Sequence, residues 1–229
     1  MDGRFRHELK FTVNAGDVAV LRSRLGACMA RDSHNGGVYK IRSLYFDDLW
    51  DSALNEKLDG VDEREKFRIR CYNGDDSFLR LEKKMKRNGL CKKLQEELSR
   101  AEVERILAGD ASWMADEAER PLLQEFYCKL SGALLQPKTL VDYSREAFVE
   151  PLGNVRVTLD TDIRSGVYSR DFFDPAVPML PVSPLSVFEV KYDAFLPAHV
   201  AAAVQLSGRM AGAFSKYAAC RIYGLSDLY

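Results

Sequence analysis

The sequence has few of the residues from which common catalytic and metal sites are built. Its 229 residues include three histidines, His7, His34 and His199, and no Ser/His/Asp arrangement is evident around them. The five cysteines are scattered, odd in number and never spaced as Cys-x-x-Cys. The sequence therefore predicts neither a zinc site nor a disulfide framework, and we interpret the cysteines as small buried hydrophobic residues.

Long hydrophobic segments are also missing. No apolar run approaches the roughly 20 residues that a membrane-spanning helix needs, and the stretch from Met1 to Arg6 lacks the apolar core of a signal peptide. We therefore expect a cytoplasmic protein with no transmembrane segment. Internal repeats, low-complexity tracts and domain boundaries are not evident either, so we expect a single domain over residues 1–229.

Neither sign of charge dominates the chain. It has 33 basic and 34 acidic residues, for a formal net charge of -1. A protein with this balance is not a general binder of nucleic acids, whose affinity depends on an excess of Lys and Arg. Any basic site must therefore be local. With 46% hydrophobic residues, the chain can bury a substantial core around such a site.

The most informative stretch is a charged hairpin within residues 65–93. Alternate side chains of an extended strand share a face, so Arg68 and Arg70 lie opposite their apolar neighbours. The run over residues 79–86 repeats this division, and its polar face carries Arg80, Glu82, Lys84 and Lys86. Asn88-Gly89 predicts a tight turn, because both residues tolerate positive φ, and the chain would return through a third strand.

Other segments repeat the division between a charged and an apolar face. Strands are predicted over residues 4–11, 38–46, 137–149, 154–164 and 187–192. Their polar faces carry Arg4, Arg6, Glu8 and Lys10, then Lys40 and Arg42, Tyr143 and Arg145, Arg156 to Arg164 at alternate positions, and Glu189 and Lys191. Around Glu8, Glu82 and Glu189 a carboxylate shares the face with cations.

Helices are predicted between these strands. They are expected over about residues 15–30, 99–109, 121–132 and 197–209. Asn14 is expected to cap the first, Ser99 and Glu102 fit a capping box at the second, and Pro121 suits the first turn of the third. We expect these helices to pack against the sheet and not to take part in chemistry.

Two interpretations of the charged faces are open. Most antiparallel sheets have one face in water, where Lys and Arg are simply solvated. Alternatively, the sheet closes into a barrel, so that the charged faces line a tunnel. Crowded cations repel strongly where little water screens them, so such a tunnel would need a polyanionic occupant. Recurrence over six or more strands favours the tunnel, whose carboxylates suit Mg²⁺ or Mn²⁺.

Seven short motifs follow one another along the chain: Glu8-Leu9-Lys10, Arg42-Ser43-Leu44-Tyr45-Phe46-Asp47, Phe67-Arg68-Ile69-Arg70, Leu81-Glu82-Lys83-Lys84, Tyr143-Ser144-Arg145, Phe188-Glu189-Val190-Lys191 and Ser215-Lys216-Tyr217. This ordered set resembles the VTC domain, the polyphosphate polymerase module of vacuolar transporter chaperone complexes. That domain belongs to the triphosphate tunnel metalloenzyme, or CYTH-like, superfamily. The resemblance covers roughly residues 4–225.

The resemblance implies an α+β fold, in which a closed, antiparallel eight-stranded β-barrel forms a tunnel with helices packed on its outside. It also implies that the tunnel binds ATP and a growing polyphosphate chain. The γ-phosphoryl group would pass to that chain with release of ADP, assisted by Mn²⁺ or Mg²⁺. A cage of Arg and Lys with one metal is sufficient for such a transfer, which depends mainly on electrostatic positioning.

The resemblance further implies roles for individual residues. The catalytic phosphate ligands would be Lys10, Arg68, Arg70, Lys84, Arg145, Arg156 and Lys216. Further substrate contacts would come from Arg42, Lys86, Lys92, Tyr143 and Ser215. Glu189 would hold the metal, and Glu8 and Glu82 would either lie near the metal or pair with the cations.

The chain departs from part of the superfamily. Members that hydrolyse triphosphates or cyclise ATP often begin with Glu-x-Glu-x-Lys, whereas Arg6 stands here in place of the first glutamate. This favours the VTC branch but leaves open a tripolyphosphate or nucleoside triphosphate hydrolase and a non-catalytic polyphosphate-binding module. An RNA-binding barrel is disfavoured, because few aromatic residues are interleaved with the cations. Translocation of a product would need a separate membrane partner.

Overall fold

The computed structural model describes residues 5–32 and 37–226, so the predictions at Arg4 and within residues 33–36 lie outside it. The strands are β1 (His7–Val13), β2 (Ala30–Arg31), β3 (Val38–Asp47), β4 (Arg64–Tyr72), β5 (Asp75–Arg87), β6 (Leu90–Leu98), β7 (Gln136–Glu150), β8 (Val155–Ser165), β9 (Leu180–Pro181) and β10 (Ser186–Tyr192). The helices are α1 (Ala15–Cys28), α2 (Ser52–Leu58), α3 (Arg100–Leu107), α4 (Pro121–Gly132), α5 (Ala198–Val204) and α6 (Lys216–Ser226). Two short 3₁₀ helices occupy Ser112–Asp116 and Leu152–Asn154.

The strands form one antiparallel sheet. Its long strands follow the order β1-β10-β8-β7-β3-β4-β5-β6, while β2 pairs with β7 and β9 with β8. The predicted turn between β5 and β6 is confirmed, since Asn88 and Gly89 have φ angles of 50° and 75°. Strand alternation places one side of each strand on the concave face of the curled sheet and the other side on its convex face.

The sheet curls into a barrel that is open along one side. Its edge strands, β1 and β6, meet through one bridge between Arg6 and Cys91, with N–O distances of 3.0 and 3.1 Å. Within the described residues, no continuous ladder of hydrogen bonds joins these edges. The prediction of an α+β fold with an antiparallel, curled sheet is confirmed, but the prediction of closure is wrong. Side-chain alternation determines the inner face of a strand, whereas closure depends on the tilt and stagger of the whole sheet.

Two helical layers cover the convex face. Helices α3 and α4 pack on the β3 to β6 side, where Phe126 lies 5.1 Å from Phe46 and 5.2 Å from Phe67 between ring centroids. Helices α1 and α5 cover the opposite part of the sheet, through residues such as Leu21 and Val200. Among the described helices, none is long and apolar enough to cross a membrane.

Helix α6 departs from the prediction that the helices lie outside. Its Tyr217 and Cys220 are buried with Ile41, Tyr45 and Val187. Ile41 lies two residues after Tyr39 and four before Tyr45, so these three residues share one face of β3. Tyr39 and Tyr45 line the cavity inside the curled sheet, so this cluster belongs to the concave face. Helix α6 therefore fills part of the interior of the open barrel.

The helix starts follow the sequence signals. Asn14 accepts a hydrogen bond from the backbone N–H of Asp17 at 2.9 Å, and the capping box of Ser99 and Glu102 is present. Helix α5 is shorter than the predicted 197–209 and ends at Val204. The following chain runs to the interior, where the N–H of Gly212 donates to the carbonyl of Lys10 at 2.8 Å.

Candidate functional site

The concave face surrounds a cavity of about 560 Å³. Thirteen basic side chains and three carboxylates line it. The basic residues are Arg6, Lys10, Lys66, Arg68, Arg70, Arg80, Lys84, Lys92, Lys93, Arg145, Arg156, Lys191 and Lys216, and the acidic ones are Glu8, Asp32 and Glu189. A second cavity, of about 370 Å³, adjoins it at Lys10, Lys66 and Lys84.

The sequence analysis located most of this lining. All seven predicted phosphate ligands lie on the larger cavity, namely Lys10, Arg68, Arg70, Lys84, Arg145, Arg156 and Lys216. It is also lined by Lys92, Tyr143, Ser215, Glu8 and Glu189. Lys86 lines the smaller cavity instead. The structure thus brings these residues together, while their roles stay predictions.

Two arginines of β4 are fixed in place by buried partners. Arg68 donates to one oxygen of Glu82 through Nε and Nη2, at 2.7 and 2.5 Å, and through Nη1 to the Tyr45 hydroxyl at 2.6 Å. Arg70 donates to the hydroxyl of Tyr143 at 2.9 Å. These contacts hold both guanidinium groups in a defined orientation toward the cavity, which suits the bidentate binding of phosphate oxygens.

Glu82 is the buried ion-pair partner that these two arginines share. Its side chain is fully buried and pairs with Arg68, Arg70 and Lys93, at N–O distances of 2.5, 3.5 and 3.2 Å. Burial acts to raise the pKa of Glu82, but the three cations outweigh it and hold that pKa well below its usual range. Of the two roles left open for Glu82, the structure favours a partner of the cations over a metal ligand, because it is absent from the cavity lining.

A second buried carboxylate, Asp160 of β8, organises the neighbouring cations. Arg145 donates to both of its oxygens at 2.6 and 2.7 Å, and the Lys216 ammonium lies 2.5 Å from Oδ2. Burial opposes ionisation, but Arg145 and Lys216 lower the pKa of Asp160 to about 2. The sequence analysis gave Asp160 no role, although its position four residues after Arg156 on the same strand face was visible.

The other end of the lining is a cluster of three lysines and two glutamates. Glu8 lies 2.7 Å from the ammonium groups of both Lys10 and Lys84. Glu189 lies 3.2 Å from Lys191 and 3.5 Å from Lys10. Burial and Glu189 act to raise the pKa of Glu8, but the lysines outweigh them and hold it at about 2. Burial also acts to raise the pKa of Glu189, but Lys191, Lys10 and Lys84 hold it well below its usual range, so both carboxylates are ionised at neutral pH.

This cluster contains two of the three carboxylates that were predicted to hold a metal. The described residues contain no group of three or more His, Cys, Asp or Glu side chains arranged to hold an ion. Glu8 and Glu189 supply two carboxylates on the cavity, and Mg²⁺ is commonly bound by one or two carboxylates together with substrate phosphates. The pair therefore fits a metal that binds together with a phosphate. The lysines that pair with these carboxylates would then bind the phosphate oxygens.

Lys66 was missed by the sequence analysis. It lines both cavities, and its ammonium lies 3.3 Å from the Ser215 hydroxyl. Burial, followed by the nearby Lys84, Lys10 and Arg68, lowers the pKa of Lys66 well below its usual range. Among the described side chains, no carboxylate lies within ion-pair distance of Lys66. The signal was available, because Lys66 precedes Arg68 by two residues and so shares its strand face.

Two predicted lining residues require correction or refinement. Arg42 is not on the cavity, since its guanidinium lies 3.0 Å from Asp142 and donates to the carbonyl of Asp174 at 2.6 Å. Tyr39 and Tyr45, at odd-numbered positions of β3, line the cavity instead. The even-numbered Arg42 therefore lies on the opposite face of the strand. Lys92 reaches the cavity at its rim, with its ammonium 6.0 Å from the Phe5 ring centroid.

Two further positions bear on the predicted polar faces: Lys93 on β6, which was not predicted to line the cavity, and Asp162 on β8, which was predicted on a polar face. Lys93, the neighbour of Lys92, is paired across from Lys84 and binds Glu82 at 3.2 Å. On β8, Asp162 has a φ of 51° beside a shift of register with β7. The alternation of the polar face therefore stops there, and Asp162 and Arg164 form an exposed pair at 2.9 Å.

Two residues of the sequence motifs lie behind the cavity and fix its wall. The Tyr217 hydroxyl donates to Asp47 Oδ2 at 2.6 Å. Asp47 also accepts from the backbone N–H groups of Ala53 and Leu54 at 2.9 and 3.0 Å, at the start of α2. Because Tyr217 follows Lys216 directly, this buried contact anchors the beginning of α6, where Ser215 and Lys216 face the cavity.

These features define the class of the protein: an open antiparallel barrel whose basic interior suits a polyanion. A sequence model of the VTC domain matches residues 5–223, so the chain belongs to the VTC domain family. The resemblance seen in the motifs is thereby confirmed. A search of curated proteins gives no significant match.

Two solved structures are similar to this chain at low sequence identity. A Hippeastrum protein described as having a dominant triphosphatase activity is 14% identical, with a TM-score of 0.50 over 86% of this chain and 83% of that chain. A Pyrococcus horikoshii protein is 15% identical, with a TM-score of 0.47 over 89% and 92% of the two chains. At 14% identity, the similarity to the Hippeastrum protein concerns the fold alone.

Proposed function

We propose that the chain transfers the γ-phosphoryl group of ATP to a growing polyphosphate chain bound in the basic cavity. The observation that supports this most directly is the excess of cations, thirteen basic side chains against three carboxylates around about 560 Å³. Such a lining is unfavourable without an anion of high charge, because confined cations repel one another. Membership of the VTC domain family supports polyphosphate as that anion.

The proposed reaction needs little covalent work from the protein. A terminal oxygen of polyphosphate, already ionised, attacks the γ-phosphorus of ATP and forms a new P–O–P link. The bond from that phosphorus to the β,γ-bridging oxygen breaks, and ADP leaves with the electron pair. Arg68, Arg70 and Arg145 are oriented to hold non-bridging oxygens, and no general base is required.

Glu189, with Glu8 beside it, would hold Mn²⁺ or Mg²⁺ in this proposal. The ion would neutralise charge that develops on the phosphate oxygens. Lys10, Lys84 and Lys191 surround the two carboxylates at 2.7 to 4.0 Å. These lysines would exchange their carboxylate partners for phosphate oxygens as the substrate enters, which keeps the charges of the cluster balanced.

A second candidate function is hydrolysis of tripolyphosphate or nucleoside triphosphates. The open side of the barrel, where β1 and β6 meet through one bridge, favours it, because an open edge would let water reach a bound phosphate. The described activity of the Hippeastrum protein is compatible with this alternative. Binding of polyphosphate without turnover is the third outcome that an assay must distinguish.

One incubation separates these functions. Purified protein is incubated with ATP and Mn²⁺, and long-chain polyphosphate, ADP and orthophosphate are resolved, together with Lys216→Ala and Glu189→Gln variants. We expect polyphosphate and ADP from the wild type and about 100-fold less of both, or none, from the two variants. Arg105→Ala, on the exposed face of α3, is the matched control and should behave as wild type.

The alternative outcomes are equally specific. Orthophosphate without chain growth would replace the polymerase with the hydrolase. Retained polyphosphate binding with no turnover would replace both with the binding module. A cytoplasmic location, where ATP is available, and a separate membrane partner for export of product both stay predictions from the sequence.

A further inference from the structure

The end of the cavity remote from the second cavity is aromatic. Tyr72 lies 6.1 Å from Tyr39 and 5.9 Å from Phe78 between ring centroids. All three rings line the cavity, and so does Arg80, whose guanidinium carbon lies 4.3 Å from the Phe78 ring centroid. Tyr39 accepts a hydrogen bond from Arg156 at 3.3 Å, whereas phosphate binding gives the ring of Phe78 no evident purpose.

Strand alternation orders the cavity from this aromatic end to the lysines. Along the concave face of β4, the side chains are Tyr72, Arg70, Arg68 and Lys66 in that order. The facing side chains of β5 are Phe78, Arg80, Glu82 and Lys84. At about 3.3 Å per residue, four residues span about 13 Å from Tyr72 to Arg68. A ligand that is flat at one end and anionic along its length would match this order.

At this end of the cavity, Phe78 is the aromatic ring most open to a ligand, whereas Tyr39 is buried and the Arg80 side chain is partly exposed. Phe78 is 39% exposed, although it is a large hydrophobic residue on the lining of a basic cavity. The Arg80 guanidinium lies over this ring and pairs through Nη2 with the exposed Glu97 at 3.3 Å, so its only partner among the described carboxylates is one that a ligand can replace. An aromatic ring beside a planar guanidinium is a surface on which nucleobases stack, since both attract the π face of a base.

We propose that Phe78 and Arg80, with Tyr72 beside them, bind the base of a nucleoside triphosphate whose phosphates extend toward Arg68 and Lys66. This inference rests on the proposed function and assigns the nucleotide one direction in the cavity. The γ-phosphate then faces the cluster of Glu8, Glu189 and the lysines. The aromatic end distinguishes a nucleotide donor from an inorganic triphosphate of similar charge.

The test compares two ligands that share a triphosphate but differ in the base. Metal-free binding of ATP and of inorganic tripolyphosphate is measured by titration calorimetry for wild type, Phe78→Ala and Phe78→Trp. We expect Phe78→Ala to weaken ATP binding about tenfold and tripolyphosphate binding less than about twofold, since stacking supports only the base. Phe78→Trp should restore ATP binding, because it restores the aromatic face.

The control variant is Phe195→Ala, which removes a ring that is 51% exposed and is not part of the cavity lining. It should bind both ligands as wild type does. Retained tripolyphosphate binding by Phe78→Ala shows in the same experiment that the cavity is intact. Unchanged ATP affinity in Phe78→Ala, or an equal loss for both ligands, would overturn the assignment of the base site.

Failure of this inference is distinguishable from failure of the proposed function. If Phe78→Ala selectively loses ATP but the wild type makes no polyphosphate, the base site stands and the polymerase does not. If the wild type makes polyphosphate and Phe78→Ala does so with an unchanged KM for ATP, the polymerase stands and the base site is wrong.

Discussion

The arginine-rich and lysine-rich parts of the cavity hold their charges in different ways. In the arginine part, Glu82 and Asp160 are fully buried and each is shared by at least two cations. In the lysine part, Glu8 and Glu189 face the cavity and share three ammonium groups. The first arrangement is fixed behind the lining, whereas the second lies on the ligand's side of it.

This difference indicates a division of labour. Guanidinium groups held by buried carboxylates and tyrosine hydroxyls are oriented before a ligand arrives, so they lose little freedom on binding. Ammonium groups on flexible stems can exchange one anionic partner for another. We therefore expect the arginine part to position phosphates and the lysine part to exchange partners as substrate or metal enters.

The largest expected effect is on stability and comes from the arginine part. Replacing Glu82 with Gln leaves Arg68, Arg70 and Lys93 without their buried counter-charge, which should lower the free energy of unfolding by about 3–5 kcal/mol. Urea denaturation measures this. Added tripolyphosphate should recover part of the loss, since it supplies negative charge to the same cations.

The matched control is Glu97→Gln. Glu97 pairs with Arg80 at 3.3 Å, but its side chain is 75% exposed, so the loss should be below about 0.5 kcal/mol. Equal losses in the two variants would show that Glu82 does not organise the arginine part.

The next largest effect is on catalysis and comes from the lysine part. Glu189→Gln removes a metal ligand of the proposed function, and we expect kcat to fall about 100-fold. Metal-free binding of tripolyphosphate should become tighter, because Lys10 and Lys191 lose a competing carboxylate. Weaker metal-free binding would contradict the proposed exchange of partners. Glu150→Gln, which alters an exposed pair with His199, serves as the control.

A smaller effect should come from the anchor of α6. Tyr217→Phe removes one hydrogen bond to the buried carboxylate of Asp47, and we expect a loss of about 2 kcal/mol in the free energy of unfolding. Because Lys216 directly precedes Tyr217 and is positioned by this anchor, tripolyphosphate affinity should also fall. A destabilised protein with unchanged affinity would show that the anchor does not position Lys216.

The smallest expected effect is the dependence on pH. Burial and the neighbouring Lys10 lower the pKa of Lys84 to about 8, and burial lowers that of Lys93 to about 8 as well. Both lysines are charged below pH 8 and lose a proton above it, so metal-free polyanion binding should weaken from pH 7 to 9. For one group the loss approaches about tenfold per pH unit above its pKa.

A double variant with Lys84→Arg and Lys93→Arg provides the comparison, because arginine stays charged across this range. Titration of the ligand itself is the same for both proteins. An equal pH dependence in the wild type and the double variant would show that these lysines do not titrate in the free cavity.

The fold and much of the site followed from side-chain alternation. Arg68, Arg70 and Lys84 were located because each lies on a strand with a clear apolar opposite face. The same argument could have located Lys66. It was wrong for Arg42, because alternation defines two faces and does not say which one is concave. On β3 the concave face holds Tyr39 and Tyr45, whose hydroxyls bind arginines from other strands.

Roles of carboxylates were harder to predict than positions. Glu82 and Glu189 have the same local signal, a glutamate among cations on a strand face. Glu82 is completely buried and is surrounded by arginines because of the way its strand pairs with its neighbours. The sequence of a single strand does not specify that pairing. The bulge at Asp162 and the single bridge between β1 and β6 likewise depend on pairing partners far apart in sequence.

The concentration of cations inside has a consequence for the exterior. Thirteen of the 33 basic residues but three of the 34 acidic residues line the larger cavity, which leaves 20 basic and 31 acidic residues elsewhere. The rest of the molecule therefore carries net negative charge, although a few of these acidic groups, such as Glu82 and Asp160, are buried, and its field disfavours the polyanions that the interior attracts. At physiological ionic strength this field extends about 8 Å, so an anionic chain is guided to the openings and nucleic acids are kept off the remaining surface.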